Sequence, residues 1–334
     1  MQDNQKPVGS GFGSTTTAQD VDEAAARGGA DITAQVIVVT GGYSGLGLEV
    51  TRVLSAAGAT VIVPARDAVK AAGALHGLAR VEQEALDLAD PVSIAAFADR
   101  MLSSGRVINV LINNAGVMAV PLNHDARGFE THLAINHLGH ADLTRRLWPA
   151  LVAGAGARVI NLTSRGYRFS PVDFADPNFH AREYEKWAAY GQSMSAKAMF
   201  AIELDRLGRP HGVRSFAVHP GTILTDLSRH LTRAELIAMG AADDSGAPLQ
   251  PTGYKTVAQG AATTVWAAIA PELDGHGGLY LDDVEIAPII DSSTDLFGPG
   301  VDAWLIDPEQ HGRLWALTDQ LLESDFLATA LLAL

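Results

Sequence analysis

Short apolar segments that alternate with helical patterns constrain the fold of this chain of 334 residues more than any other feature. The segments that read as buried strands are "AQVIVVT", "TVIVPAR", "EALDLAD", "VINVLINNAG", "ARVINLTS", "RSFAVHPG" and "GGLYLDD". Helical patterns separate them, with long ones over residues 127–153 and about 185–208. Such alternation is typical of βαβ units, and it predicts an α/β fold in which a single doubly wound parallel sheet carries helices on both faces.

No change in composition marks a second domain. Residues 1–32 are expected to form an N-terminal extension that is partly mobile, because residues 1–18 are rich in glycine, serine and threonine. Residues 33–334 are predicted to form one domain, which ends in a helical extension at about 305–334.

Charge and residue types exclude several classes of function. The formal net charge of −14 argues against nucleic-acid binding, which needs a basic surface, and against attraction to anionic membranes. The absence of cysteine excludes disulfides, thiol nucleophiles and thiolate metal ligands. We expect a soluble cytoplasmic protein, because the N-terminus lacks a signal-peptide pattern and no apolar run approaches the ~20 residues of a membrane span. The C-terminal "FLATALLAL" is too short for a span and is expected to pack as a helix end on the body or on a neighbouring subunit.

The turn "TGGYSGLG" follows the first predicted strand directly and carries Gly41, Gly45 and Gly47. Glycines between a strand and a helix let the backbone approach a pyrophosphate, and the start of the helix supplies free N–H groups. The spacing is not G-x-G-x-x-G, and alone it also fits a simple tight turn. Its place after the first strand of an α/β pattern favours a nucleotide site.

Several motifs in one order resemble the short-chain dehydrogenase/reductase family. "TGGYSGLG" is similar to its T-G-x-x-x-G-x-G turn, and "NNAG" at 113–116 to its second hallmark. Asn136 in "THLAINHLGH", Ser164 in "NLTS", Tyr190 in "AYGQS" and "HPG" at 219–221 follow at the usual separations. Within the family, "NHLGH", "AYGQS" and "HPG" resemble the branch of the retinol dehydrogenases and the WW-domain oxidoreductase, in its bacterial members.

The resemblance covers roughly residues 33–285 and implies a Rossmann-type fold, a nicotinamide cofactor and a small-molecule substrate. Family members often form homodimers or homotetramers, which is the expected assembly here. The positions that match the family's cofactor-binding motifs, and that are therefore expected to bind the cofactor, are Gly41, Ser44, Gly45, Leu46, Gly47, Arg66, Asp87, Leu88, Asn114, Ala115, Gly116, Pro220, Gly221 and Thr225.

The end of the second strand, "VPARD", bears on the choice between NADP and NAD. Arg66 occupies the place where NADP-preferring members of the family carry arginine, and a guanidinium binds phosphate bidentately. Ser44 can add a hydroxyl. The alternative is that Arg66 is a solvated charge while Asp67 hydrogen-bonds the ribose of NAD. We expect NADP(H).

The catalytic residues implied by the resemblance are Tyr190 as proton donor, Ser164 as partner of the substrate oxygen, and Asn136 as the group that orders a water. The family's lysine, four residues after the tyrosine, is replaced by Met194. Methionine has nearly the length of lysine but neither charge nor donor. In the family, the lysine charge lowers the pKa of the tyrosine, and each unit of this shift that is lost costs about 1.4 kcal/mol. The loss should impair alcohol oxidation, which needs the tyrosine as a base, more than ketone reduction, which needs it as an acid.

Three cations near this position are candidates to replace the lysine. Lys197 lies seven residues after the tyrosine, on nearly the same helix face but about 10.5 Å further along the axis, and a surface or interface lysine is favoured. Arg165 is expected to be a solvated loop charge, and Lys186 to lie away from the cofactor. Met194 is then a natural variant in a weakened enzyme, a deliberate silencing change, or the mark of a protein that binds nucleotide without turnover.

Histidines and apolar residues complete the candidate site. The spacing of His132, His137 and His140 is not that of a helical zinc site, so packing and capping roles are expected and no metal is predicted. In the family, the segment after "HPG" closes over the substrate, which here implies a lid at about 222–255. An apolar pocket is expected from Met118, Val120, Pro121, Trp187, Leu227, Leu231, Leu236, Ile237 and Met239. A lid face that simply packs on the body of the protein is equally compatible with the lid residues among them.

The leading hypothesis is therefore an NADP(H)-dependent oxidoreductase that acts on a hydrophobic ketone, aldehyde or secondary alcohol, impaired or altered by Met194. Two alternatives remain: a nucleotide-binding protein without catalysis on the same scaffold, and a reductase of an activated C=C or C=N bond. Transfer of deuterium from labelled NADPH to a product separates the second alternative from simple binding.

Overall fold

The computed structural model describes residues 5–247, 249, 253–291 and 298–325. The strands are β1 (Val36–Val39), β2 (Thr60–Ala65), β3 (Val81–Ala85), β4 (Val110–Asn113), β5 (Arg158–Leu162), β6 (Arg214–His219), β7 (Leu279–Asp282), β8 (Glu285–Ile286), β9 (Ile289–Ile290) and β10 (Val301–Asp302). The helices are α1 (Ala18–Arg27), α2 (Gly45–Ala56), α3 (Ala68–Leu75), α4 (Pro91–Ser103), α5 (Gly139–Arg146), α6 (Trp148–Ala153), α7 (Lys186–Gly208), α8 (Arg233–Ala238), α9 (Val257–Ile269) and α10 (Pro308–Leu321).

The main sheet has the order β3-β2-β1-β4-β5-β6-β7-β8. All neighbours are parallel except β7 and β8, which form an antiparallel pair at the edge. The chain moves outward in one direction from β1 to β3 and in the other from β4 onward. The predicted doubly wound parallel sheet is confirmed, and its strand order reverses between β1 and β4, the place where such folds bind ligands.

Helices cover both faces of the sheet. Successive residues of a strand face opposite sides of the sheet, so apolar residues in a row supply both faces. In β1, Val38 belongs to the core formed with α4, α5 and α7, whereas Ile37 and Val39 belong to the core formed with α1, α2 and α9. Both sides of the strand are therefore apolar, which explains the continuous hydrophobic runs in the sequence.

Two predicted elements differ from the structure. The third strand occupies Val81–Ala85 rather than "EALDLAD", because an edge strand with glutamates at 82 and 84 lacks the apolar pattern of a buried one. The helical pattern over 127–153 is interrupted: a π-helical stretch, Leu133–Leu138, precedes α5, and α6 follows as a separate helix.

The N-terminal extension is tied to the far edge of the sheet. The buried side-chain amide of Gln5 donates to the carbonyls of Tyr280 and Ala287 at 2.7 and 2.8 Å and accepts the N–H of Tyr280 at 3.0 Å. The Glu285 carboxylate accepts the N–H groups of residues 8, 9 and 10. The composition of residues 1–18 did not predict these contacts, and their mobility stays a prediction.

The C-terminal region ends, within the described part, in α10, which packs against α7. The segment "FLATALLAL" lies outside the described residues. Of the helices in the described ranges, none combines the length and the apolar composition that crossing a membrane requires.

Candidate active site

A cavity of about 860 Å³ lies at the carboxyl ends of the strands, next to the point where the strand order reverses. The residues predicted to bind cofactor or to act in catalysis all line it: Gly41, Ser44, Gly45, Leu46, Gly47, Arg66, Asp87, Leu88, Asn114, Ala115, Gly116, Asn136, Ser164, Tyr190, Met194, Pro220, Gly221 and Thr225. The fold thus brings the whole candidate set into one cavity.

The glycine turn between β1 and α2 leaves its backbone open to this cavity. Gly41 has φ +65° and Gly45 has φ +50°, in the left-handed region that favours glycine. A Cβ at Gly47 would lie 2.4 Å from the carbonyl oxygen of Gly41, so no side chain fits there. Ser44 does not cap α2 with its side chain, which leaves the N–H groups of the first turn for an anion. This cradle fits the pyrophosphate of a dinucleotide.

Thr40 holds the segment after β4 against the glycine turn. Its hydroxyl oxygen accepts the N–H groups of Asn114 and Ala115 at 2.9 and 3.0 Å, and the Asn114 amide donates to the Thr40 carbonyl at 2.8 Å. Because His140 Nδ1 lies 3.1 Å from the carbonyl of Asn136 and must donate to it, His140 Nε2 accepts from the Thr40 hydroxyl at 2.9 Å. Thr40 and His140 were not recognised as site residues from the sequence.

One end of the cavity, beyond β2, carries charged side chains of both signs. The exposed Arg66 lines it together with Lys70. The Asp67 carboxylate accepts the N–H of Lys70 at 2.9 Å and so caps α3. The Lys70 ammonium lies 2.9 Å from the carboxylate of Asp226, which belongs to the expected lid. Lys70 was not predicted as a site residue, although it lies only four residues after Arg66.

The remaining cofactor candidates frame the groove on two sides. Asp87 accepts the backbone N–H two residues further on at 2.9 Å, and Leu88 after it is buried. On the other side, Pro220 is followed by Gly221 with φ +97°, and the hydroxyl of Thr225 caps the helical turn at the start of the lid. Glycine is required at 221 by this backbone conformation.

Tyr190 lies beside Ser164 on the cavity wall. Burial raises the pKa of Tyr190, and its hydrogen bond with Ser164 opposes that rise. The Ser164 oxygen also accepts the N–H of Gly166 at 3.0 Å. A Cβ at Gly166 would meet the Tyr190 ring at 2.8 Å, so the glycine lets the ring approach closely. A phenol with a raised pKa stays protonated at neutral pH and can therefore donate a proton, but as a weaker acid than an ordinary tyrosine.

Asn136 lies in the π-helical stretch, a kind of helix often found at functional sites. Its Oδ1 accepts the N–H of Val117 at 2.9 Å, and its Nδ2 donates to the Val117 carbonyl at 3.0 Å and to Ser193 Oγ at 2.9 Å. A Cβ at Gly116 would lie 3.1 Å from Asn136 Oδ1. The Asn136 side chain therefore connects the segment after β4 to α7.

Met194 lies on the cavity wall one turn after the tyrosine and is buried. Two of the cations weighed as substitutes are engaged elsewhere. Arg165 forms a 2.5 Å ion pair with Asp282, so it is not the solvated charge expected. Lys186 forms a 2.5 Å ion pair with Glu235 and so connects α7 to α8, which lies in the segment expected to form the lid.

Lys197 is only 1% exposed and lines the same cavity as the tyrosine. The expectation of a surface lysine is wrong, because α7 is buried along most of its length. Burial lowers the pKa of Lys197 to about 7.

The histidines of "THLAINHLGH" make buried hydrogen bonds within the fold. His132 Nδ1 lies 2.7 Å from the carboxylate of Glu130, and His137 Nε2 lies 2.8 Å from the hydroxyl of Thr318. Burial lowers the pKa of His137 to about 3 and that of His140 well below its usual value. Across the ranges that the structure describes, no three histidine, aspartate or glutamate side chains cluster as metal ligands.

Apolar side chains border the cavity near the tyrosine. Met118, Trp187, Leu227 and Met239 line it as predicted, whereas five other residues predicted for the pocket do not: Val120, Pro121, Leu231, Leu236 and Ile237. Phe169 and Tyr254 line it as well.

Charged residues also lie at the mouth of the cavity, and several of them have partners. Asp226 pairs with Lys70, Glu235 pairs with Lys186, and Arg229 donates to the backbone carbonyl of Asp226 at 2.9 Å. The apolar wall therefore lies beside a rim that contains two ion pairs.

Known proteins are similar to this chain in sequence and in fold. A family model described as short chain dehydrogenase matches residues 35–236. A "probable oxidoreductase" of Streptomyces antibioticus is 40% identical over 292 residues, 85% of this chain and 96% of that protein. Retinol dehydrogenase 12 of Homo sapiens is 36% identical over 255 residues, 75% of this chain and 78% of that protein.

Among solved structures, an uncharacterized protein from Mycobacterium Paratuberculosis superimposes with a TM-score of 0.68 at 31% identity, covering 89% of this chain and 96% of that one. The family model spans more than half of the chain, and relatives above 30% identity cover more than two thirds of it. The chain belongs to the short-chain dehydrogenase/reductase family.

Proposed function

We propose that this dehydrogenase/reductase uses NADP(H) and acts on a hydrophobic ketone, aldehyde or secondary alcohol. The observation that carries the proposal is the Tyr190–Ser164 pair on the wall of the cavity that also holds the glycine cradle. A proton donor and a nucleotide cradle in one cavity are what carbonyl reduction requires.

In reduction, the Ser164 hydroxyl holds the carbonyl oxygen of the substrate while the Tyr190 phenol donates a proton to it. The cofactor, when bound, supplies the hydride. Burial raises the pKa of Tyr190, which makes the phenol a weaker acid and makes the phenolate needed for alcohol oxidation scarcer still, while the protonated form that reduction requires is present at neutral pH. With Met194 in place of lysine, ketone reduction is therefore the favoured direction.

The preference for NADP(H) rests on Arg66 at the end of the cavity beyond β2. The Asp67 carboxylate caps α3 with one of its oxygens. Arg66 lines the cavity there and presents a guanidinium to a 2′-phosphate, and Lys70 lies beside it in an ion pair with Asp226. Replacing Arg66 by glutamine should weaken NADPH binding by about 10- to 100-fold and leave NADH binding nearly unchanged. Equal losses for both cofactors would contradict the assignment.

The apolar substrate class rests on the cavity wall near Tyr190. Met118, Trp187, Leu227 and Met239 offer contact area without unpaired charge. The family's dimers and tetramers support a homo-oligomer, which sedimentation of the purified chain would test.

The decisive experiment is NADPH oxidation with a panel of hydrophobic ketones and aldehydes, run in parallel on this chain, on Tyr190→Phe and on Met194→Lys. Turnover that is lost in Tyr190→Phe supports the proposal. Tight NADPH binding without turnover in any of the three chains would favour the non-catalytic alternative. Turnover of these carbonyl substrates that survives Tyr190→Phe would contradict the role of Tyr190 as proton donor.

A further inference from the structure

Lys197 is a lysine inside the active-site cavity that the family pattern does not explain. It lines the cavity with Tyr190 and Met194, and only 1% of its surface is exposed. In the described part of the chain, its ammonium has neither a hydrogen-bond partner nor an ion-pair partner. A buried ammonium without partners is expensive, so a structural role alone does not account for it.

The position of Lys197 on α7 relates it to the missing lysine. It lies three residues after Met194 and seven after Tyr190, and both spacings return to the same side of an α-helix. Side chains on a helix tilt toward its N-terminus. A long side chain at 197 is therefore directed back toward the turn that carries Met194.

The surroundings of Lys197 supply no counter-charge. The titratable groups that it perturbs are His137, from the π-helical stretch, and His140, from α5. Both imidazoles are buried with lowered pKa values and stay neutral near pH 7, and the positive charge of Lys197 contributes to both shifts. Tyr190, which is on the same helix as Lys197, is an uncharged phenol at this pH. The acceptors that Lys197 lacks must therefore come from whatever enters the cavity.

We propose that Lys197 replaces the absent lysine of position 194: its ammonium binds the hydroxyls of the nicotinamide ribose and stabilises the Tyr190 phenolate. In reduction, the O–H bond of Tyr190 breaks and an O–H bond of the product alcohol forms. An N–H bond of the Lys197 ammonium then breaks as the O–H of Tyr190 is restored, and the amine regains a proton from water. The role of Lys197 in assisting Tyr190 rests on the proposed function, whereas its role in holding the ribose requires only that the protein binds NADPH.

Three chains test the assignment: the unchanged protein, Lys197→Met, and the double variant Met194→Lys/Lys197→Met, which moves the charge back to the family position. We expect Lys197→Met to bind NADPH at least tenfold more weakly at pH 6.5 and to lose about 100-fold in kcat. The double variant should regain most of both. Melting temperatures of the three chains show whether each is folded.

The pH dependence of NADPH binding, followed by fluorescence titration, gives a readout that needs no turnover. A lysine that must be protonated to bind should make the affinity of the unchanged protein fall above pH 7, by up to about tenfold per pH unit. The affinity of Lys197→Met should be flat over pH 7–9. The comparison removes any contribution of the cofactor's own phosphates, which titrate equally in both experiments.

Two results would overturn the inference. One is a Lys197→Met protein whose NADPH affinity and pH dependence equal those of the unchanged chain. The other is a folded double variant that stays as weak and as inactive as the single variant. If instead no chain reduces any carbonyl while the pH dependence of binding is lost in Lys197→Met, the proposed function fails and the cofactor half of the inference stands.

Discussion

Replacing Lys197 by methionine should stabilise the protein at neutral pH while it disables the site. The pKa of this lysine falls from 10.5 to about 7 on folding because burial disfavours the charged form. At about 1.4 kcal/mol for each pH unit, the native state at pH 7 carries a cost on the order of 4 kcal/mol. Methionine has a similar length and no charge, so Lys197→Met removes this cost with little change in packing.

The pH dependence of the stability gain identifies its cause. Between pH 7 and 10.5, the unfolded chain holds the lysine proton and the native chain has released it, so the unfolded state binds more protons. The free energy of unfolding of the unchanged protein therefore rises with pH in this window. The advantage of Lys197→Met should accordingly shrink by about 3 kcal/mol between pH 7 and pH 9.5.

Urea denaturation of both chains at these two pH values measures the effect. Because all other titrating groups are common to the two proteins, their contributions cancel in the difference. A variant that is less stable than the unchanged protein at pH 7, or a difference that is the same at both pH values, would refute the reasoning. It would mean that Lys197 is charged and satisfied within the fold.

Three other substitutions test separate parts of the structure. Gly47→Ala places a Cβ 2.4 Å from the Gly41 carbonyl, so NADPH binding should weaken more than tenfold and stability should fall by about 1–3 kcal/mol, as calorimetry and denaturation would show. Glu285→Gln removes the charge that accepts three N–H groups of the N-terminal segment; it should cost about 1 kcal/mol and speed proteolysis there, and unchanged cleavage would argue against that anchor. Lys186→Met breaks the partly exposed pair with Glu235, so KM for substrate should rise about two- to fivefold at constant NADPH affinity; an equal loss of cofactor affinity would contradict a role confined to the lid.

The sheet and the nucleotide groove were predictable because their signals are local. A buried parallel strand must be apolar on both sides. The turn after β1 must be glycine at Gly41, where φ is positive, and at Gly47, where a side chain has no room. Such constraints can be recognised in the sequence as apolar runs and as glycines at fixed positions, and this is the mark that they leave. The edge strand Val81–Ala85 lacks that mark, because solvent covers much of it and its glutamates pair with arginines of the loop and helix beside it.

The features that were missed depend on contacts between distant segments. The surroundings of Lys197 come from α7, α5 and the π-helical stretch, so nothing in "MSAKAMF" distinguishes a buried lysine from an exposed one. Lys70 meets Asp226 across the cavity mouth, 156 residues apart. Gln5 reaches Tyr280 over a still larger separation. Sequence periodicity reports which side of an element is buried but not which partner covers it.

The π-helical stretch Leu133–Leu138 limits how this region can change in length. Its wide turn is closed by the N–H of Gly139, which reaches back five residues to the carbonyl of Ala134. Loss of one residue here would restore an ordinary helix and rotate everything beyond it by about 100°. Asn136 could then no longer contact the segment after β4 while His140 contacts Thr40. Deletions within this stretch should therefore be far more damaging than most exchanges of side chain, so its residue count is the property that selection must preserve.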